Sequence, residues 1–171
     1  MLKVARCIYK VILNILIVLV FIGLIISIYN FVNIKLNNKL YTNYFGYTMF
    51  NISSGSMEPN IKVDDYVIVK LKTNYKVGDI VSYKYKNSVV THRIVNIENN
   101  KVITRGDANN TDDQPISIKD IIGKVVHIGK GYGAILAIVK TPMVFISFFA
   151  SLIFFDIALK EDDKNEKEKK E

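Results

Sequence analysis

From Val11 to Ile34 the chain runs 24 residues without a charge, VILNILIVLVFIGLIISIYNFVNI. No other feature restricts the fold as strongly. As a helix, such a stretch is roughly 36 Å long, enough to cross a bilayer core with some tilt. Lys3, Arg6 and Lys10 precede it and would also suit the start of a cleavable signal peptide. The run exceeds the usual apolar region of such a peptide, however, and no A-x-A-like site follows it. The expectation is a retained anchor over residues 11–34. Its basic flank keeps residues 1–10 in the cytoplasm and sends residues 35–133 to the other side of the membrane.

A second apolar stretch, residues 134–159, is interrupted by Lys140 and Asp156. Its uncharged centre, residues 141–155, is shorter than the roughly 17–25 residues a span normally needs. Lys140 can snorkel from a helix end, and the stretch is read as a second transmembrane helix, the alternative being a buried or interfacial helix. Residues 160–171 form a mixed-charge tail that is expected to be disordered and, with two spans, cytoplasmic.

With 171 residues, the chain has room for one compact domain plus these appendages. The net charge of +7 is spread along the chain without a Lys/Arg block, which argues against a nucleic-acid partner and suits an anionic lipid bilayer. Cys7 is the one cysteine and lies on the cytoplasmic flank, so the exported domain has no disulfide and depends on its core.

That domain reads as mainly β. DYVIVKLK (65–72) alternates Val67, Val69 and Leu71 against Tyr66, Ile68 and Lys70, the period of a half-buried strand. DIVSYKYK follows Gly78 and leads through Asn87-Ser88 into VVTHRIVNIE, and Asn99-Asn100 leads into KVITRG, a meander of hairpins. IIGKVVHIG (121–129) is a last strand. No stretch between the apolar segments sustains a helical period.

The chain has two histidines, the natural general-base candidates. His127 follows valines near a strand end and reads as a packed or surface residue. His92 shares a strand face with Val90 and Ile94, and position alone would also make it structural. The loop TRGDANNTDDQP gathers Asp107, Asp112 and Asp113. It fails the calcium-loop pattern, which needs Gly at its sixth position and Glu at its twelfth, so it is either a solvated turn or the source of an aspartate that orients a histidine. Ser53, Ser54 and Ser56 sit in a polar turn with no G-x-S-x-G elbow, which excludes an α/β-hydrolase. Serine, histidine and aspartate in one membrane-tethered β domain permit a triad but do not show that the three converge.

S-G-S-M-E-P at 54–59 resembles the nucleophile box of type I signal peptidases. The likeness continues through V-x-D-x-V-I-V at 63–69, G-D-I-V at 78–81, H-R-I at 92–94 and G-D-A-N-N-T-D-D at 106–113, in the order of that family and after an N-terminal anchor. A histidine where the common bacterial branch has lysine is similar to the ER-type branch, which also occurs in archaea and some Gram-positive bacteria. The resemblance implies a signal-peptidase-like β catalytic domain and a membrane-bound serine endopeptidase. It would cleave N-terminal signal peptides with small residues at −1 and −3 from exported preproteins through an acyl-enzyme, with no metal or other cofactor. Ser56 matches the nucleophile, His92 the base and Asp113 the third member. Ser54 matches an oxyanion-hole hydroxyl and Asp107 a loop-holding aspartate. The asparagines at 109 and 110 arrive one residue late, so Asp112 and Asp113 both stay open as the partner of the imidazole.

Two rivals remain: a non-catalytic membrane adaptor of the same fold, and a protease dedicated to a few partners. Asn51-Ile52-Ser53 and Asn109-Asn110-Thr111 are glycosylation sequons, and a glycan on the second would obstruct the site. With the Lys/Asn/Ile-heavy composition, this favours a prokaryotic cell membrane over the ER membrane. Met57, apolar in a polar turn, is expected to face the bilayer.

Overall fold

A computed structural model of the chain describes residues 2–72, 74–133, 135 and 141–168, and the side chains of residues 8–158 among these. It divides into two compact units, one of Met1–Val32 with Ile138–Glu171 and one of Asn33–Ala137.

The first unit is helical. Helix α1 spans Leu2–Phe31 and continues as a wider π-type turn over Val32–Leu36. Ile8–Leu36 is long and apolar enough to cross a membrane. Helix α2 spans Pro142–Glu168, and proline at its first position costs no hydrogen bond because that N–H lacks a partner in any helix. Its apolar part, Pro142–Ala158, is shorter than α1. Residues 134 and 136–140, the start of the expected second span, lie outside the described residues. The charged tail departs from expectation, because α2 continues to Glu168. Lysine and glutamate are good helix formers, and extending an existing helix needs no new nucleus.

The second unit is the mainly antiparallel β domain. Strands β1 (Tyr47–Asn51), β2 (Tyr66–Leu71), β3 (Ile80–Tyr85), β4 (Ser88–Glu98), β5 (Lys101–Arg105), β6 (Ile116–Ser117) and β7 (Ile121–Gly129) form one sheet. Its order is β1-β2-β7-β3-β4-β5-β6. Period-two alternation identifies β2 and β5, where Val67, Val69, Val102 and Thr104 are fully buried. β1, whose burial does not alternate cleanly, and β6, with two residues, give no such signal and were not expected. The β4–β5 hairpin turns on Asn99 and Asn100, both at positive φ, a region asparagine tolerates. The β3–β4 turn lies one residue earlier than the sequence suggests, on Lys86 and Asn87, with Lys86 at positive φ.

β4 changes neighbour midway. Residues 88–93 pair with β3 and residues 93–98 with β5, so among the described strands residues 88–92 have a partner on one side only. The core falls into two clusters. One joins Val81, Tyr83, Ile94, Val102, Ile116 and Ile121, and the other joins Met57, Ile61, Val67 and Val69. Met57 is 1% exposed, which corrects the expectation that it faces a bilayer. Its side chain anchors the Ser54–Asn60 turn to the core, and burying a side chain of that size stabilises by roughly 1.5–3 kcal/mol.

Candidate active site

Three polypeptide segments meet at the middle of β4. The turn after β1 carries Ser54 and Ser56, the middle of β4 carries His92, and the loop from β5 to β6 carries Asp107, Asp112 and Asp113. Their positions are set mainly by backbone contacts. The Glu58 N–H donates to the Gly55 carbonyl and the Ile61 N–H to that of Met57, curling the turn so that Met57 enters the core. The β5–β6 loop is closed on itself, because the Asp113 N–H donates to the Thr104 carbonyl at 2.8 Å. It is then tied to the turn by the Ala108 N–H, which donates to the Ser56 carbonyl at 2.9 Å. Gly106 permits that approach, since a Cβ there would lie 2.5 Å from the Ser56 carbonyl oxygen.

Side chains complete the contact. The Ser56 hydroxyl lies 3.1 Å from His92 Nε2, and His92 Nδ1 lies 2.6 Å from Asp113 Oδ2. A carboxylate can only accept, so Nδ1 carries the proton and Nε2 is left as the acceptor for the serine O–H. The Ser54 hydroxyl sits 3.3 Å from that of Ser56. Asp112 points elsewhere, 3.4 Å from Arg105, with both side chains about half exposed. Of the two aspartates left open by the sequence, Asp113 is the one beside the imidazole.

Asp107 holds the segments together. It accepts from Arg93 Nε at 2.8 Å and from an Arg93 terminal nitrogen at 2.7 Å, a bidentate pair of the strong, directional kind. It also accepts from Asn60 Nδ2 at 2.7 Å, while Arg93 donates to the Gly78 carbonyl. The neighbour of the histidine, the end of the serine turn and the aspartate loop thus share one carboxylate. The Arg93 hydrogen bonds hold the Asp107 carboxyl below the ordinary 3.8, although burial works against them. Asp107 in turn raises the Arg93 guanidinium. Arg93 and Asn60 were missed as site residues, although Arg93 stands inside the H-R-I box.

Behind the imidazole, Asp113 Oδ2 accepts from Thr104 Oγ1 at 2.7 Å and from the Tyr83 hydroxyl at 3.2 Å. Burial, and then the negative charge of Asp113, push the Tyr83 phenol up to about 12, against the hydrogen bond it shares with Thr104, which works the other way. Both residues read from sequence only as strand positions. In front, a cleft of about 320 Å³ opens between the serine turn and the first half of β4, lined by Ile52, Ser54, Ser56, Val90 and His92 with Met57 in its floor. His127 is exposed on β7, its ring 6.5 Å from that of Tyr66, and takes no part.

This arrangement can move a proton from a serine hydroxyl to an imidazole whose other nitrogen is already fixed. Comparison with known proteins agrees with that chemistry. The family model described as Peptidase S24-like matches residues 25–126. Signal peptidase I W of Bacillus subtilis (strain 168) is 36% identical over 86 residues, an alignment that covers 45% of this chain and 45% of that protein. The chain thus spans about half the length of this curated relative. The match of more than half of the chain, on top of the ordered sequence boxes, means that the protein belongs to the Peptidase S24-like family, among its type I signal-peptidase-like members.

Proposed function

We propose that the protein is a membrane-bound serine endopeptidase that removes signal peptides from exported preproteins. The observation that carries the reading is the continuous hydrogen-bonded chain from Ser56 through His92 to Asp113, opening on a cleft beside a half-paired strand. His92 takes the hydroxyl proton as Ser56 Oγ bonds to the scissile carbonyl carbon. The tetrahedral intermediate collapses, the C–N bond breaks, and His92 returns the proton to the departing amine. Water, deprotonated by the same imidazole, then releases the signal peptide from its ester with Ser56. Asp113 keeps the proton on Nδ1 and faces the imidazolium as it forms. The Ser56 N–H and the Ser54 hydroxyl are the donors for the oxyanion. Loss of one such donor typically costs about 10²–10³ in rate.

The substrate is an extended segment laid along the unpaired side of residues 88–92, held by main-chain hydrogen bonds as an added strand. Small side chains at −1 and −3 enter the cleft. A histidine at the base position groups the chain with the ER-type branch.

The proposed setting is a cell membrane crossed twice, with the β domain on the extracytoplasmic side. In the helical unit a Cβ on Gly23 would collide with the Phe145 ring, and the Phe21 and Phe149 rings lie 6.5 Å apart, tilted by 44°. A small residue that admits the partner helix this closely is how helices pack in lipid, which supports α2 as the returning span.

The test is processing of a model preprotein by Ser56→Ala, His92→Ala and Asp113→Ala. The expected outcome is accumulation of precursor with all three. Wild-type processing by all three would leave a non-catalytic adaptor as the better reading. Cleavage of a few partners but not of general secretory cargo, seen by substrate profiling, would point to a dedicated protease.

A further inference from the structure

On the side of the imidazole away from Ser56, three donors crowd one carboxylate oxygen. Asp113 Oδ2 lies 2.6 Å from His92 Nδ1, 2.7 Å from Thr104 Oγ1 and 3.2 Å from the Tyr83 hydroxyl, and the two hydroxyl oxygens are 3.1 Å apart. Two hydroxyls supply two protons. The nearer, on Thr104, goes to the carboxylate. That of Tyr83 goes either to the same oxygen or to Thr104, where it strengthens the first bond by polarising it.

Folding does not call for these hydroxyls. Thr104 is fully buried on β5 and Tyr83 is 2% exposed on β3, beside inward-facing Val102 and Val81. Valine and phenylalanine have nearly the same shapes and no polar atom to desolvate, so they would pack there at lower cost. The phenol stays protonated, and so remains a donor, at any working pH, because burial together with the Asp113 charge pushes it up to about 12.

There is also space that makes restraint necessary. A cavity of about 190 Å³ is lined by His92, Asp113 and Tyr83 themselves, together with Tyr85, Val90 and Ile116. The Asp113 side chain is 25% exposed, and two rotatable bonds would let it swing away from the ring. A single bond from His92 leaves that rotation open, whereas donors from β3 and β5 close it.

We propose that Tyr83 and Thr104 are positioning residues of the proteolytic reaction. They lock the Asp113 carboxylate in line with His92 Nδ1 while the imidazole takes up and returns the Ser56 proton. The inference rests on the triad reading above and adds the rigid strands that make the third member effective.

The test uses the full chain in detergent with a model preprotein, measuring kcat and KM separately. Tyr83→Phe, Thr104→Val and Thr104→Ser are assayed alone and combined with Asp113→Asn. Thr104→Val is expected to lower kcat about tenfold and Tyr83→Phe severalfold, the scale of one hydrogen bond to a charged group. KM should not move, because neither residue lines the cleft, and Thr104→Ser should recover most of the rate. In the Asp113→Asn background the same substitutions should cost nothing more, because the carboxylate they act through is gone. Wild-type kcat in both Tyr83→Phe and Thr104→Val, with Asp113→Asn impaired, overturns the positioning role and leaves the triad standing. Losses that persist undiminished alongside Asp113→Asn overturn it equally, since they would come from core packing. Full activity of Asp113→Asn removes the triad reading and this inference with it. Should Thr104→Val not fold, Tyr83→Phe decides alone, since it keeps the buried ring.

Discussion

Gly106 is one hydrogen atom in place of a side chain, and the alignment of the site depends on it. Alanine at this position must push either its own loop or the Ser56 carbonyl, 2.5 Å from the added carbon. That carbonyl also accepts from Ala108, so Ser56 and the Asp113 loop would shift relative to each other. A displacement of about 1 Å at reacting atoms can cost about 10²-fold in rate. Gly106→Ala is therefore expected to lower kcat about that much while the thermal melt, followed by circular dichroism, changes little. Unaltered turnover would mean that the loop relaxes without moving Ser56. Residue identities were the most legible part of the site, because Ser56, His92 and Asp113 stand in ordered boxes. The choice between Asp112 and Asp113 was not legible, since adjacent residues in a loop differ only in where the backbone turns them. Met57 was misread for a related reason. Its neighbours are polar, and only the curl of the turn sends it inward.

At the scale of elements, the β domain is closed by buried carboxylates as well as by its apolar core. Asp65, at the entry to β2, is 3% exposed. It accepts from the Lys62 and Gly131 N–H groups and from Lys130, which joins β2 to the chain just after β7. Burial alone would raise its pKa, but these donors outweigh burial and leave it below 3.8. Asp107 is lowered too, chiefly by Arg93. A carboxyl with a depressed folded pKa stabilises the fold above its unfolded value, and that contribution is lost as pH falls through the folded one. The melting temperature of the full chain in detergent is thus expected to hold steady near neutrality and to fall below about pH 4. Asp65→Asn should melt lower at pH 7 and converge on the wild type as the solution is acidified. A constant gap at every pH would show that Asp65 contributes nothing through its charge. The strands themselves could be read from alternation and turn chemistry. Asn99-Asn100 marked its hairpin, whereas β1 and β6 form because longer neighbours offer them an edge, and edge pairing leaves little trace in local sequence.

For the molecule as a whole, the β unit carries both apolar clusters within Asn33–Ala137. Residues 33–137 are accordingly expected to fold without the helices and to unfold cooperatively, as followed by circular dichroism. They should cleave a short soluble peptide with a kcat near that of the full chain. They should lose the full chain's advantage on a bilayer-embedded preprotein, because enzyme and substrate no longer share a surface that concentrates them to about the millimolar range. Equal processing of embedded preprotein by both forms would show that the anchor adds nothing to the encounter. Here the long uncharged run made α1 the easiest element to foresee. The helical course of the charged tail was the hardest, since it depends on the helix that precedes it.

The half-paired course of β4 has a further consequence. In the function proposed above, a guest strand held on residues 88–92 by its peptide groups would turn every second side chain toward the cleft and the others toward water. The outward positions go unread, so a client gene can drift there without losing its processing. Such a reader constrains its clients at alternate positions alone, and the diversity it can serve is limited by what fits the cleft, not by any continuous consensus.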